Sequence, residues 1–195
     1  MKTAFRTGAA LLVAAGLAAC STSGGGGGKA PAGGVDVARF HLGMAEPVAR
    51  SRIAIEAFDR ADANRPEFSA YAAAVGRQLT RLGWTVVPTA AQSEQIAMID
   101  LEQGSREAIA ALTAARIGRG TAATVPEGSS AGITASLLEV AIRRRSDATV
   151  FWEGRAVAEA RTGSPEAART GAVERLAEAL FRDFPGESGR TIRVR

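Results

Sequence analysis

One cysteine and one histidine are all that the 195 residues carry of either type. A single cysteine excludes an internal disulfide framework and a cysteine-based zinc site. A single histidine excludes any centre that needs two. The apolar run Gly8 to Gly16 falls well short of the roughly 20 residues that a bilayer-spanning helix requires. Together these shortages remove most familiar enzyme chemistries. What remains is a chain that is 46% hydrophobic, with 24 basic and 20 acidic residues. That composition predicts a folded chain, and the length suits one domain with appendages.

The only cysteine stands at position 20, and its surroundings give it a meaning. Lys2 and Arg6 precede the apolar run, as in the positive region of a secretory signal. Leu17-Ala18-Ala19-Cys20 then resembles a lipobox, the signal of bacterial lipoproteins. The resemblance implies cleavage between Ala19 and Cys20, lipidation of the Cys20 sulfur and acylation of the new amine. Such an anchor holds a protein on a membrane durably, because more than one acyl chain contributes. Lys2 and Arg6 supply two charges of the net +4, so the basic balance belongs partly to the signal. By the sorting rule that goes with a lipobox, aspartate after the cysteine retains a lipoprotein at the inner membrane. Ser21 stands there, and the first acid is Asp36. The expected location is the periplasmic face of the outer membrane.

Residues 21–34 are rich in glycine and serine and lack apolar periodicity, so they read as a flexible tether. Its r.m.s. reach is about 20 Å and its limit about 50 Å. The expected organisation is a signal over 1–19, a lipidated cysteine and tether over 20–34, and a single α+β periplasmic domain over 35–195.

Within that domain Val35 to Leu42 and Arg52 to Phe58 alternate like strands. Phe68, Tyr71, Val75, Leu79 and Leu82 recur at helical spacing, with Asn64 as expected N-cap, Pro66 in the first turn and Gly83 at C′. Trp84 to Val87 and Gln95 to Gln103 read as strands. Ser105 to Ala115 reads as a weak helix, and Gly118 to Gly132 as a surface loop. Ile133 to Arg145 and Thr149 to Ala160 form a hairpin around Ser146-Asp147-Ala148. Ser164-Pro165-Glu166 opens a last helix with the stripe Val173, Leu176, Ala177, Leu180, Phe181 and Phe184. In that helix Glu178 and Arg182 can pair at i, i+4. Pro185-Gly186 stops it, and Thr191 to Arg195 adds an edge strand. The predicted fold is a two-layer α+β sandwich: a mainly antiparallel sheet with two amphipathic helices on one face.

Four segments carry a family resemblance: "SRIAIEAFD" (51–59), "VGRQLTRLGWTVV" (75–87), "RRSDATVFWEGRA" (144–156) and "AVERLAEALFRDFPG" (172–186). With Cys20 and the glycine tether they resemble proteobacterial lipoproteins of domain of unknown function 4136. The most specific part is the Trp-Glu-Gly-Arg-Ala strand followed by a helix ending in Phe-Pro. The resemblance implies an envelope lipoprotein and supplies no catalytic residue.

The remaining motifs lack their structural frames. Gly128-Ser129-Ser130-Ala131-Gly132 matches a nucleophile elbow, which needs a strand before it and a helix after it. Here Pro126-Glu127 precedes, strand-like Ile133 follows, and His41 lies upstream. Gly118-Arg119-Gly120-Thr121-Ala122-Ala123 resembles a dinucleotide turn, but Val125-Pro126 blocks the helix that must follow. His41 reads as a solvated edge histidine, and Asp100 and Glu102 as solvated charges sharing a strand face. Arg143-Arg144-Arg145 reads as a solvated hairpin tip, for which lipid phosphate would be the natural acidic partner. Trp84 and Trp152 read as core. The expectation is a non-enzymatic envelope lipoprotein with no cofactor, metal site or nucleic-acid partner. Its expected contacts are the membrane, through Cys20, and an envelope protein or lipid. The rival is a small-molecule or lipid carrier, which would need an apolar cavity between sheet and helices.

Overall fold

A computed structural model describes residues 33–42, 50–116 and 132–195. The signal, Ala19, Cys20, the tether up to residue 32, and the two glycine motifs, Gly118–Ala123 and Gly128–Gly132 except Gly132 itself, lie outside the described residues. Seven strands form one sheet: β1 (Val35–His41), β2 (Arg52–Ala57), β3 (Thr85–Val86), β4 (Gln95–Gly104), β5 (Ile133–Arg144), β6 (Val150–Arg161) and β7 (Thr191–Val194). Their order across the sheet is β3-β2-β4-β5-β6-β1-β7. Among the described residues three helices accompany them: α1 (Phe68–Arg81), α2 (Arg106–Arg116) and α3 (Arg169–Phe181). The fold is α+β, with a mostly antiparallel sheet and a sandwich layout.

Period-2 alternation decides which face each strand buries. Val37, Ile53, Ala97, Ile99, Leu138, Val140, Ile142, Trp152 and Ala156 point to one side. There α1 and α3 cover them with Val75, Leu79, Val173, Leu176, Leu180 and Phe181, all within one buried cluster. These are the two helices expected on one face. The weak helix of the sequence is real and takes the other face: α2 packs Ile109 and Leu112 on Ala135, Leu137 and Val157. β2 pairs in parallel with β3 and β4, because α1 intervenes as a crossover. The other pairings are antiparallel.

Two helix starts depart from expectation. Asn64 belongs to a short 3-10 turn, Asp62–Asn64, and α1 begins after Glu67 with no side-chain cap. The Ser164 side chain does cap, accepting from the Ala167 amide, but it caps a separate 3-10 turn over Pro165–Ala167. Gly171 lets that turn cross the first turn of α3 closely: a Cβ there would lie 2.4 Å from the Pro165 carbonyl oxygen. The other punctuation follows the sequence. Gly83 has φ +99° beyond α1, and β7 closes one sheet edge. Just past α3, Arg182 donates to the Arg195 carbonyl at 2.8 Å and does not form the expected pair with Glu178.

Candidate functional site

The sheet face that carries α2 is the polar one. Cross-strand register lines up Asp100 on β4, Glu139 on β5 and Arg155 on β6. Arg116, in the last turn of α2, reaches over this row. Its guanidinium is 3.0 Å from the Asp100 carboxylate and 3.8 Å from Glu102, and it also donates to Glu139. Arg155 holds the other Glu139 oxygen at 2.8 Å. Nearby, Arg106 and Glu159 pair in a bidentate geometry at 2.5 and 2.6 Å.

Side-chain exposure is 13% for Asp100, which is therefore not the solvated charge that the sequence suggests, whereas Glu102 is 39% exposed; Glu139 is 10% exposed. Burying a carboxylate is costly unless it is paired, and the guanidiniums pair it. Burial disfavours the Arg116 cation, but Glu139 and Asp100 outweigh it and hold its pKa above the ordinary range. The hydrogen bond to Glu159 does the same for Arg106.

This network lines an open groove of about 550 Å³, with Phe58, Glu153 and Gly154 among its walls. Phe58 is 49% exposed at the rim. Each acid of the row accepts from arginine, so the groove offers compensated charge pairs to a polar ligand. Among the described residues, no three His, Cys, Asp or Glu side chains converge to hold a metal ion. Glu139→Gln should destabilise the protein by about 1–3 kcal/mol, because Arg116 and Arg155 lose their shared acceptor charge. A double-mutant cycle with Arg155→Gln, read by urea unfolding, checks this; a coupling near zero would mean that water screens the pair.

His41 lies past the reach of β7, which pairs only with Val35–Ala38 of β1, and its amide donates to Ser188 Oγ at 3.1 Å. Its Nε2 lies 3.1 Å from the Gly186 carbonyl oxygen, so the ring is tied rather than solvated. Trp84 and Trp152 are both core residues, 2% and 0% exposed. The arginines of the hairpin are partly engaged: Arg145 donates to the Ser93 carbonyl at 2.6 Å, and Arg144 faces Asp147 at 3.4 Å. Beside them the Arg52 guanidinium hydrogen-bonds Glu94 and holds that carboxyl below its usual range.

Sequence reasoning misses Arg39, Glu139, Arg116 and Arg155. A signal for two of them exists: Arg39 shares its strand face with Val35 and Val37, and Glu139 interrupts an apolar run. A charge in such a place needs a partner.

No family model matches the chain. An uncharacterized protein of Zymomonas mobilis is 43% identical over 60 residues, which are 31% of this chain. The match spans 23% of that protein's length. A PelC dodecamer from Paraburkholderia phytofirmans is similar in structure with a TM-score of 0.45 and 10% identity, covering 73% of this chain and 91% of that one. A second crystal form gives a TM-score of 0.43 and 9% identity, with 73% and 94% covered. A PDZ domain protein from Parabacteroides distasonis gives a TM-score of 0.49 and 12% identity, with 82% and 38% covered.

Proposed function

We propose that the protein is a lipoprotein of the bacterial envelope, related to the family of domain of unknown function 4136, with a non-enzymatic interaction role. It is anchored through Cys20 to the periplasmic face of the outer membrane. The observation that carries this reading is positional. The only cysteine in 195 residues follows Leu17-Ala18-Ala19 and precedes a glycine-rich tether. The interior favours an interaction role over a carrier role. Trp152, Phe181, Leu79 and Leu180, all 0% exposed, occupy the space between the sheet and its two covering helices. A carrier would need that space for its ligand; the surface is what the domain offers.

Cys20→Ser should abolish metabolic labelling with palmitate and leave the signal uncleaved. Labelling that persists in this variant would reject the anchor. The unaltered protein should fractionate with outer-membrane markers, and Ser21→Asp should move it inward. Recovery of the unaltered protein with inner-membrane markers would reject the location while leaving the anchor standing.

A further inference from the structure

Three features meet at the β3 edge of the sheet. The first is an open edge: among the described residues β3 pairs with β2 on one side only. The Thr85 and Val87 amides donate inward, to the Ser51 and Ile53 carbonyls. In a parallel ladder the residue between them turns its own N–H and C=O outward, so Val86 presents both to a partner. The second is an apolar trough of about 540 Å³ along that edge, between α1 and β3. Ala72, Gly76, Ile55, Val86 and Pro88 are among its walls, together with Arg77, which pairs with Glu174 on α3, and Val86 is 38% exposed.

The third feature is cationic. Thr80 lines the trough where α1 ends, and Arg81 follows, exposed and without an ion pair or hydrogen bond among the described residues. The Arg50 side chain passes the adjoining turn: a Cβ on Gly83 would meet its Cδ at 3.4 Å. Its guanidinium lies 5.9 Å from the Trp84 ring and takes no carboxylate among the described residues. Two arginines without a carboxylate partner among the described residues thus stand by the turn that follows Thr80, and the trough itself is apolar apart from Thr80 and Arg77, whose guanidinium is taken by Glu174.

The geometry points to a docking site for an extended polypeptide with carboxylates at one end and small apolar side chains along the remainder. Its backbone pairs with Val86, its alternate side chains enter the trough, and its carboxylates meet Arg50 and Arg81. Placement on the domain suits an anchored protein, and in this respect the inference rests on the proposed Cys20 anchor. The tether joins at the start of β1, five strand spacings from β3, or about 24 Å. β3 also lies at the opposite end of the strands, since Arg52 faces Thr85 while Val35 faces Ala158. The outward N–H and C=O of Val86, which a polypeptide backbone can pair with and a lipid phosphate cannot, favour a polypeptide. β7, the other open edge, has its Arg193 already held by Asp36 at 2.9 Å.

The test uses the full lipidated protein in neutral detergent. The probes are fluorescent Asp-Asp-Val-Thr-Val-Thr-Val and its Asn-Asn and Lys-Lys counterparts, read by anisotropy. The Asp-Asp peptide should bind at least about tenfold more tightly than either counterpart, and added salt should narrow that gap. Arg50→Gln with Arg81→Gln should remove the preference. Val86→Pro should weaken all three peptides, because it deletes the outward N–H and leaves both inward bonds. Circular dichroism verifies that each variant is folded, and the arginine pair alone decides if Val86→Pro is not. Failure of the Asp-Asp peptide to bind at millimolar concentration overturns the proposal. So does binding that is equal for all three peptides. Arginine-dependent binding of soluble dihexanoyl phosphatidylglycerol in place of the peptide would assign the patch to lipid and likewise overturn it. Palmitate labelling of the same preparation reports on the Cys20 anchor independently.

Discussion

Trp152→Ala should lower the stability of the protein by about 3–5 kcal/mol, the range for truncating a fully buried large aromatic. The residue is 0% exposed at the centre of an aromatic group. Its ring stacks on Phe181 with centroids 5.3 Å apart and tilts against Phe184 at 5.2 Å. Phe184 in turn meets Trp84 edge-on at 5.2 Å, so one truncation loosens both tryptophans. The indole N–H donates to the Pro185 carbonyl at 3.0 Å, which fastens the chain beyond α3 to the sheet. Room for this ring comes from Gly154: a Cβ there would lie 2.4 Å from the Trp152 ring and 2.7 Å from Leu180. Gly154→Ala should therefore destabilise as well, although alanine is ordinarily the better strand residue. Thermal and urea unfolding followed by circular dichroism measure both effects. Val150→Ala is the control, because Val150 is 37% exposed and should change stability by less than about 0.5 kcal/mol. A Trp152→Ala loss as small as the control's would mean that the aromatic group is not part of the cooperative core.

The same residues show what a sequence gives away and what it withholds. Trp-Glu-Gly-Arg-Ala is legible as a strand, because alternation and turn residues are local signals. That Gly154 faces Trp152 and Leu180 is not legible, because it depends on how α3 crosses the sheet. The β5–β6 hairpin and the α3 stripe stand close to where periodicity puts them. The cap on α1 does not: Asn64 is a plausible N-cap in isolation, yet the chain uses it in an earlier 3-10 turn. Nor does any local pattern reveal that β1 pairs with β6 and β7 rather than with β2. The charged row needs that non-local register. Asp100, Glu139 and Arg155 come from three strands and meet only once β4, β5 and β6 are in register. Asp100 reads as an ordinary solvated charge until its neighbours arrive, and Glu139 stands out only as a break in an apolar run. α2 was half legible for a related reason, since its apolar side is narrow. Ile109 and Thr113 are the buried positions of the helix, and Leu112 packs beside them.

Arg39→Met should cost about 2–4 kcal/mol, because it removes both partners of a buried helix end while keeping the bulk of the side chain. Arg39 is 2% exposed on the apolar face of β1. Its Nε donates to the Leu180 carbonyl at 2.8 Å and its Nη2 to the Ala179 carbonyl at 3.0 Å. These carbonyls belong to the last turn of α3, where no further helical amides arrive to satisfy them and the helix dipole favours a cation. Burial pushes the Arg39 pKa down, and the Asp183 carboxylate beyond the helix pushes it back up. The Phe184-Pro185-Gly186 turn then closes over the guanidinium. A Cβ on Gly186 would stand 2.4 Å from Arg39 Cδ, so only glycine leaves space there. The Gly189 amide also donates to the Arg39 carbonyl at 2.8 Å. One arginine thus ties the end of α3, the turn after it and β1 together, which explains a charge beside Val35 and Val37. Hydrogen exchange separates this role from general packing. Arg39→Met should speed exchange of amides in the last turn of α3 and in residues 184–190 more than in β4 and β5. Arg39→Lys should restore part of the protection, since lysine keeps the charge but not the planar fork that reaches two carbonyls. Protection lost evenly across the sheet in Arg39→Met would contradict the cap and assign Arg39 to the core as a whole.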